Sequence, residues 1–529
     1  MSPERISRRE AVSRVARAGA GVYALSALPL LARCAPSLGR PNILFIFTDD
    51  HAPHAISAYG SKVNRTPNID RIANEGVIFL NSFCTNAICA PSRAVVLTGK
   101  HSHANGKLDN SGEPFDMTQP TFNKLLQTAG YQTAVIGKWH LRVDPLGFDH
   151  WEVLPGQGRY YNPDFRTATG DVRYEGYATD IITDLSLEWL RNGRDPERPF
   201  LLMSQHKAPH RNWMPGPDHL YTYEDVDIPE PDSLFDDYAN RASPAADTEM
   251  TIAEHMFPAY DLKITPPAAD NEMDQRFWAV EWDRMTEQQR AAWDAAYGPR
   301  NAAFFAASLE GEALVRYYYQ RYMKDYLRCI ASVDDNVGRI LDYLDESRLA
   351  DDTLVIYCSD QGFFLGEHGW YDKRWMYEES LRMPFVARWP GGIEPGQRVP
   401  QLIQNIDYAP TFIQLAGAEA PTDLHGASLL DLMVGRQPRR WRTSVYYHYY
   451  EYPDPHRVAP HYGVRTERHK LVYYYRTREW ELFDLEADPS EMRSIHGDPT
   501  YRAILSDLKR ELRRLRAVYG DATGEDFTE

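Results

Sequence analysis

Cysteine is scarce in this chain of 529 residues, which contains Cys34, Cys84, Cys89, Cys329 and Cys358. An odd and sparsely spaced set of cysteines excludes a disulfide framework. A single bridge, either Cys84–Cys89 or Cys329–Cys358, stays open from the sequence. A disulfide bond at Cys89 would remove its free thiol and so prevent any reaction of that side chain.

Basic residues are also in deficit, with 58 Lys and Arg against 75 Asp and Glu and a formal net charge of −17. Nucleic-acid binding needs a basic face, so we expect no nucleic-acid partner. A small anion is still compatible with this charge. A local cluster of basic residues and metal outweighs distant charges that solvent screens.

Long hydrophobic runs are missing as well, apart from one apolar stretch over residues 18–32. This stretch is too short for a membrane-spanning helix, and it follows an arginine-rich segment as the apolar region of an export signal does. Ser7-Arg8-Arg9 resembles the twin-arginine export signal. We therefore predict an export signal over residues 1–35, no transmembrane segment, and a periplasmic or secreted protein. A lipid anchor at Cys34 is the disfavoured alternative, because an arginine directly precedes this cysteine.

Four apolar runs, each about as long as a buried strand, end in charged or reactive residues. They cover residues 42–48, 131–136, 199–204 and 353–359, and such continuous runs are typical of the middle of a parallel sheet. Ligands of open α/β sheets lie beyond the carboxyl ends of the strands. We therefore expect one shared site from the residues that follow these runs, which are Asp49, Asp50, Lys138, His140, His206, His210, Asp360 and Gln361.

Helical segments alternate with these strands, and this alternation predicts an α/β sandwich. We expect a main domain over residues 36–420 with an irregular insertion near residues 218–300, where the sequence is acidic and weakly periodic. Residues 421–529 predict short antiparallel strands and one amphipathic helix. The predicted fold is thus a large sheet flanked by helices plus a smaller C-terminal antiparallel sheet with a helix.

The segment Cys89-Ala90-Pro91-Ser92-Arg93, which continues to Gly99, is the strongest local signal for chemistry. Proline suits the first turn of a helix because it has no N–H to leave unpaired. Cys89 would then lie at a helix N-terminus, which favours an anion, and Arg93 would follow one turn later. A buried structural cysteine before a helix is the alternative interpretation.

This segment resembles the signature of the sulfatases, and the resemblance extends to Asp49-Asp50, Gly137-Lys138-Trp139-His140 and Ser359-Asp360-Gln361-Gly362. Together these motifs make the chain, from residue 41 to about residue 485, similar to formylglycine-dependent sulfatases of the alkaline phosphatase superfamily. The resemblance implies an alkaline phosphatase-like sandwich with a mixed, mostly parallel sheet. It also implies a sulfuric ester hydrolase in which a formylglycine-generating enzyme oxidises Cys89.

The resemblance further implies a calcium site. Asp49, Asp50, Asp360 and Gln361 would bind Ca²⁺ together with residue 89. Calcium prefers hard oxygen ligands, which carboxylates and an amide supply. Gln361 departs from the Asn or His of many relatives, and its longer side chain changes the geometry of the metal site.

By the same resemblance, a hydroxyl of hydrated formylglycine at position 89 would attack the ester sulfur. Lys138 and Lys373 would stabilise charge on the sulfuryl oxygens, and Arg93 would hold the formylglycine hydroxyl. Arg374, the next residue, is the alternative to Lys373.

The same resemblance implies roles for three histidines that follow the strands. His206 would protonate the leaving alcohol, because its reference pKa suits a general acid. His210 is the alternative acid and is otherwise expected to bind substrate. His140 would assist the collapse of the covalent sulfate hemiacetal at residue 89, which restores the aldehyde of formylglycine.

The motifs at residues 205–210, 359–363 and 461–466 look most like glycan sulfatases that act on N-acetylglucosamine 6-sulfate or similar sugars. This implies a sulfated carbohydrate substrate, with Arg211, Trp213 and His461 as sugar contacts. Two alternative functions stay open. One is a phosphonate or phosphate ester hydrolase of the same superfamily, and the other is a non-catalytic sulfated-glycan binding protein with an unconverted Cys89.

Overall fold

The apolar runs form the centre of a ten-stranded sheet in the computed structural model, which describes residues 39–453 and 455–527. The sheet has the order β12-β2-β11-β8-β1-β7-β3-β4-β5-β6. A separate ribbon pairs β9 with β10. The first twelve strands are β1 (Asn42–Thr48), β2 (Val77–Phe83), β3 (Gln132–Lys138), β4 (His150–Leu154), β5 (Asp164–Thr167), β6 (Gly170–Arg173), β7 (Phe200–Gln205), β8 (Thr353–Ser359), β9 (Phe364–Leu365), β10 (Tyr371–Asp372), β11 (Phe385–Arg388) and β12 (Gln397–Gln404).

The central strands are parallel and buried. β8, β1, β7, β3 and β4 run parallel as neighbours, and β12 runs parallel to β2, whereas β11, β5 and β6 are antiparallel to their neighbours. Every residue of β3, β7 and β8 is buried. Burial on both faces explains why these strands have unbroken apolar runs rather than alternating sequences. The predicted mixed, mostly parallel sheet is confirmed.

Helices cover the sheet, and the longest of them, α9, packs on α1 and α5. Its apolar residues recur at helical spacing, so one face is buried while the other carries charged residues. The helices are α1 (Pro67–Asn74), α2 (Cys89–Thr98), α3 (Ser102–Asn105), α4 (Phe122–Thr128), α5 (Ala178–Glu188), α6 (Pro244–Asp247), α7 (Glu272–Trp282), α8 (Glu287–Ala307), α9 (Gly311–Glu346), α10 (Glu378–Leu381), α11 (Tyr408–Ala416), α12 (Leu430–Met433) and α13 (Arg502–Tyr519).

The insertion near residues 218–300 combines a first part made mostly of turns and loops with regular helices in its second part. α7 and most of α8 lie within it, and Thr286 and Gln289 form a capping box at the start of α8. Gly298 and Pro299 inside α8 argued against a helix in the sequence. Burial of Trp293 on one face of α8 stabilises the helix nonetheless.

The C-terminal region has the predicted smaller sheet. Its strands are β13 (Ser444–Tyr449), β14 (His461–Thr466), β15 (His469–Tyr474) and β16 (Glu479–Asp484), all antiparallel in this order. Leu508, Leu512 and Leu515 of α13 pack on one face of the sheet. The predicted domain boundary near residue 420 stays a prediction, because the chain from Arg40 onward forms one compact unit.

Two further predictions concern cysteine and membrane crossing. Cys84, Cys89, Cys329 and Cys358 are all free and buried, so neither of the two bridges left open by the sequence is present. Within the part of the chain that the structure describes, no helix combines the length and apolarity needed to cross a bilayer. The predicted export signal and Cys34 lie outside the described residues.

Candidate active site

The carboxyl ends of neighbouring strands bring the site together. β1 lies between β8 and β7 in the sheet, and Thr48 of β1 is in register with Ser359 of β8. Asp49 and Asp50 therefore emerge beside Asp360, and the backbone N–H of Asp50 donates to Asp360 Oδ1 at 3.2 Å. All three acids are completely buried. The sheet, rather than a flexible loop, fixes their positions.

The three acids form a cluster that can bind a metal ion. Asp49, Asp50 and Asp360 each offer a ligand oxygen, and these oxygens lie within 4.8 Å of one another. Gln361 donates its amide N–H to Asp50 Oδ1, and its buried Oε1 has no hydrogen-bond partner among the described residues. An unpartnered amide oxygen beside three hard carboxylates fits a divalent cation of the calcium type.

Burial strongly affects the ionisation of this cluster. Burial and the neighbouring carboxylates of Asp360 and Asp372 raise the pKa of Asp50 to about 7, although the Lys373 ammonium acts in the opposite direction. Close, buried like charges are costly unless a cation holds them. The arrangement thus favours the binding of positive charge.

Three basic side chains contact the acid cluster. Lys373 Nζ lies 2.7 Å from Asp50 Oδ2, Lys138 Nζ donates to Asp49 Oδ2, and an Arg93 NH2 donates to Asp360 Oδ2 at 2.9 Å. Arg374, the alternative to Lys373, instead pairs with Glu451 at 2.6 Å. The geometry therefore favours Lys373 for the role that the sequence left open.

Cys89 is the first residue of α2 and lies against the acid cluster. Its Sγ is 3.3 Å from Asp49 Oδ1, and it is completely buried. Arg93, one turn later, extends between Asp360 and the carbonyl of Lys138, to which it donates at 2.6 Å. Burial raises the pKa of the Cys89 thiol to about 12. Because the thiolate is the nucleophilic form of cysteine, the unmodified side chain is poorly suited to attack.

The two histidines that follow β7 differ in position. His210 Nε2 lies 3.8 Å from Asp50 Oδ2, and Nδ1 lies 2.6 Å from the carbonyl oxygen of Arg211. A carbonyl only accepts, so Nδ1 carries the proton and Nε2 is the atom nearest the acids. Burial and the charges of Lys138 and Lys373 lower the pKa of His210 well below its ordinary value.

His206 is set deeper than His210. Its backbone N–H donates to the carbonyl of Phe47 at 2.8 Å and so extends the sheet ladder. Its ring is completely buried, neither ring nitrogen has a hydrogen-bond partner in the described chain, and burial lowers its pKa to about 4. Burial lowers the pKa of both histidines, so their positions separate them: His210 lines the cleft beside the acids, whereas His206 does not line it. The geometry favours His210 over His206 as the acid.

His140 follows β3 and lies near the basic side of the cluster. Its backbone has a positive φ of 60°, which turns the chain sharply after the strand. Its buried Nδ1 has no hydrogen-bond partner within the described ranges. Burial and the nearby charges of Lys138 and Arg93 lower its pKa well below the ordinary value. His140 is thus held neutral.

A cleft of about 480 Å³ lies beside this cluster. His210 and Gln157 belong both to the cleft and to the buried site, because Gln157 Oε1 accepts from Lys138 Nζ at 2.5 Å. The cleft and the buried site are therefore adjacent, and His210 and Gln157 lie between them. The wall is formed in part by α7 and by polar residues that include Gln157, Arg159, Lys207, His210, Arg211 and Glu281.

Comparison with known proteins gives the family. A family model described as sulfatase matches residues 41–418, and one described as N-sulphoglucosamine sulphohydrolase, C-terminal, matches residues 366–518. The chain belongs to the sulfatase family. The match to the first model spans the sheet, the acid cluster and Cys89.

Individual relatives of this sulfatase are similar over nearly its whole length. An N-acetylglucosamine-6-O-sulfatase from Bacteroides thetaiotaomicron is 47% identical, covering 91% of this chain and 87% of that protein. A multifunctional alkaline phosphatase superfamily protein from Trinickia caryophylli is 26% identical, covering 92% and 96%. A solved protein in complex with its substrate D-glucosamine-2-N,6-O-disulfate has a TM-score of 0.88 at 46% identity, covering 92% of this sulfatase and all of that chain (100%).

The structure places two of the expected sugar contacts of this sulfatase in the interior, away from the cleft. Trp213 is completely buried and packs against the rings of Tyr322 and Phe363. His461 is also completely buried, and both ring nitrogens are engaged, because Nδ1 lies 2.8 Å from the carbonyl of Ala459 and Nε2 accepts from the Met376 N–H at 3.1 Å. Neither side chain lines the cleft.

Arg211, the third expected contact, does line the cleft. Asp261 holds its guanidinium with two hydrogen bonds of 2.7 and 2.6 Å, so its charge is already neutralised. Sequence reasoning missed Gln157 and Arg159, which follow the short strand β4 in a loop rich in glycine. A sequence signal for them does exist. β4 ends at the same edge of the sheet as the other parallel strands, and a glycine-rich segment, Pro155-Gly156-Gln157-Gly158, follows it directly.

Proposed function

We propose that this sulfatase hydrolyses the 6-O-sulfate ester of a glucosamine-type sugar, N-acetylglucosamine 6-sulfate or a close relative. The observation that carries the proposal is the contact of Cys89 with the acid cluster, next to a cleft that His210 lines. The substrate class is supported by the relative named N-acetylglucosamine-6-O-sulfatase and by the solved protein with its disulfated glucosamine substrate.

Two groups would complete the site. Asp49, Asp50, Asp360 and Gln361 would hold a calcium ion, which would supply positive charge to the sulfuryl oxygens. Residue 89, after conversion to formylglycine, would supply a nucleophilic hydroxyl. The elevated pKa of the Cys89 thiol supports the need for this conversion.

The chain's own residues prepare the reaction. Lys138 and Lys373 bring ammonium donors to the cluster, where they would bind the oxygens of the sulfate group. Arg93 braces Asp360 and the main chain after β3, which keeps residue 89 and the acids in fixed register. Preorganised donors of this kind need little rearrangement as charge develops.

Proton transfer to the leaving alcohol is assigned to His210. A sugar alkoxide is a poor leaving group, so protonation of its oxygen is needed. His210 lines the cleft, and its Nε2 is the ring nitrogen nearest the cluster. The anionic sulfate of a bound substrate would raise the pKa of this imidazole and so favour its protonated form.

Export to the periplasm or beyond is also part of the proposal, and it depends on the sequence of residues 1–35 alone. The route is the twin-arginine pathway suggested by Ser7-Arg8-Arg9. A periplasmic or secreted enzyme would meet sulfated glycans outside the cytoplasm.

A screen of desulfation activity tests the function. Purified protein is assayed for kcat/KM against N-acetylglucosamine 6-sulfate, its 3-sulfated isomer and a matched pair of aryl sulfate and aryl phosphate. We expect the 6-sulfate to be the best sugar substrate and the aryl sulfate to exceed the aryl phosphate, with no turnover by Cys89→Ala. Preference for the phosphate would instead support the phosphate ester hydrolase alternative. Intact-protein mass spectrometry that finds only a thiol at residue 89 would support the binding-protein alternative.

A further inference from the structure

Lys207 is a buried cation in the cleft wall without a counter-ion. Only 4% of the residue is exposed, and no carboxylate of the described chain lies within ion-pair distance of its ammonium. Its Nζ donates to the carbonyl of Arg211 at 3.2 Å and lies 4.7 Å from the centre of the Tyr160 ring. An ammonium has three donors, so most of its capacity is unused by the protein.

The other cations of the cleft wall are neutralised. Arg159 pairs with Glu281 at 2.5 Å, and Arg211 pairs with Asp261 at 2.6 Å. Burying a charge without a partner costs stability. Lys207 therefore differs from its neighbours in a way that folding alone does not explain.

Lys207 also lies outside the group of side chains that contact the acids. Lys138 and Lys373 each contact a carboxylate of the acid cluster, whereas Lys207 contacts none of them. It is nevertheless close by, because a turn joins its carbonyl to the N–H of His210 at 3.0 Å, and its charge helps to lower the pKa of His210. Lys207 thus lies beside the acid cluster and not within it.

We propose that Lys207 binds a second anionic group of the substrate, a sulfate or carboxylate that is not the ester being cleaved. The inference rests on the proposed function, since it takes a 6-sulfated sugar as the molecule in the cleft. The substrate class is then a glucosamine 6-sulfate that carries another anion, such as an N-sulfate on the same ring. Burial lowers the pKa of Lys207 only to about 8, so the side chain is still largely charged at neutral pH.

The test compares two substrates that differ in the second anion. The ratio of kcat/KM for glucosamine-2-N,6-O-disulfate over that for N-acetylglucosamine 6-sulfate is measured in wild type, Lys207→Met and Lys207→Arg. We expect Lys207→Met to lower this ratio about 10- to 100-fold, the value of one charge-assisted contact, and Lys207→Arg to restore part of it. Lys62→Met, at an exposed lysine, is the matched control and should leave the ratio unchanged.

A binding measurement separates this inference from the proposed function. Calorimetric titration with glucosamine 2-N-sulfate and with N-acetylglucosamine needs no turnover. We expect wild type to bind the N-sulfated sugar more tightly and Lys207→Met to lose that difference. If wild type binds the two sugars with equal affinity, the second-anion site is overturned. If wild type binds the N-sulfated sugar more tightly but does not desulfate the 6-sulfated sugars, only the proposed reaction is overturned.

Thermal unfolding distinguishes substrate binding from a structural role. Because Lys207→Met removes a buried charge that has no counter-ion, we expect an unchanged or higher Tm. A clearly lower Tm, or a ratio of kcat/KM that stays at the wild-type value, would contradict the proposal.

Discussion

Replacement of His210 by Asn should remove the general acid while leaving the sulfate-binding groups in place. The matched variant is His206→Asn, since both histidines follow β7 and only His210 lines the cleft. His210 Nε2 is 3.8 Å from Asp50, whereas the ring of His206 has no polar partner in the described chain. Comparison of the two variants therefore distinguishes the loss of a side chain that lines the cleft from the loss of one in the core.

The size of the effect should depend on the leaving group. General acids contribute about 10²–10⁴ in rate, which corresponds to about 3–5 kcal/mol of transition-state stabilisation. A sugar 6-sulfate needs the whole of this contribution, because an alkoxide leaves poorly. 4-Nitrophenyl sulfate releases an acidic phenol and needs little of it. We expect His210→Asn to lose at least about 100-fold in kcat on the sugar sulfate and much less on the aryl sulfate.

The pH dependence provides a second measurement. The acid must be protonated, so turnover of the sugar sulfate should fall as the pH rises through the pKa of His210 in the substrate complex. That alkaline limb should disappear in His210→Asn. Equal losses on both substrates would refute the acid role of His210, and a loss in His206→Asn that depends on the leaving group would return the role to His206.

Two further predictions concern the metal and export. Removal of divalent cations by a chelator should abolish desulfation and lower the Tm, because a ligand present at a concentration of 100 times its Kd stabilises a fold by about 2.7 kcal/mol. Added Ca²⁺ should reverse both effects in wild type but not in Asp360→Asn. Activity that survives chelation would contradict the metal site. Replacing Arg8 and Arg9 by Lys should retain active enzyme in the cytoplasm, as measured by activity in cell fractions, and unchanged secretion would contradict the twin-arginine assignment.

The central sheet and the acid cluster were predictable from sequence for a common physical reason. Strands buried on both faces have unbroken apolar sequences, and the polar residues that stop them lie at one edge when the strands are parallel. Asp49, Asp50 and Asp360 therefore come together as expected. Lys373 lacks such a strand signal, and only the motif before it indicated its position.

The choice between His206 and His210 was not available from sequence. Both follow β7 within a few residues. The backbone hydrogen bond of His206 to Phe47 continues the sheet ladder and keeps its ring in the interior, whereas the turn between Lys207 and His210 carries His210 to the cleft. Trp213 and His461 lie in the interior and not along the cleft, and the sequence did not show this because burial depends on tertiary packing, which residue type does not reveal.

The charge balance of the acid cluster explains how an acidic protein can bind an anionic substrate. Asp49, Asp50 and Asp360 are matched in number by Lys138, Lys373 and Arg93, so these six side chains alone are close to neutral when all are ionised. A neutral cluster has little attraction for a sulfate ester. A divalent cation would make the site net positive, and burial would keep solvent from screening that charge. Sulfate affinity should therefore depend on the metal, while the overall charge of −17 has little influence at this depth.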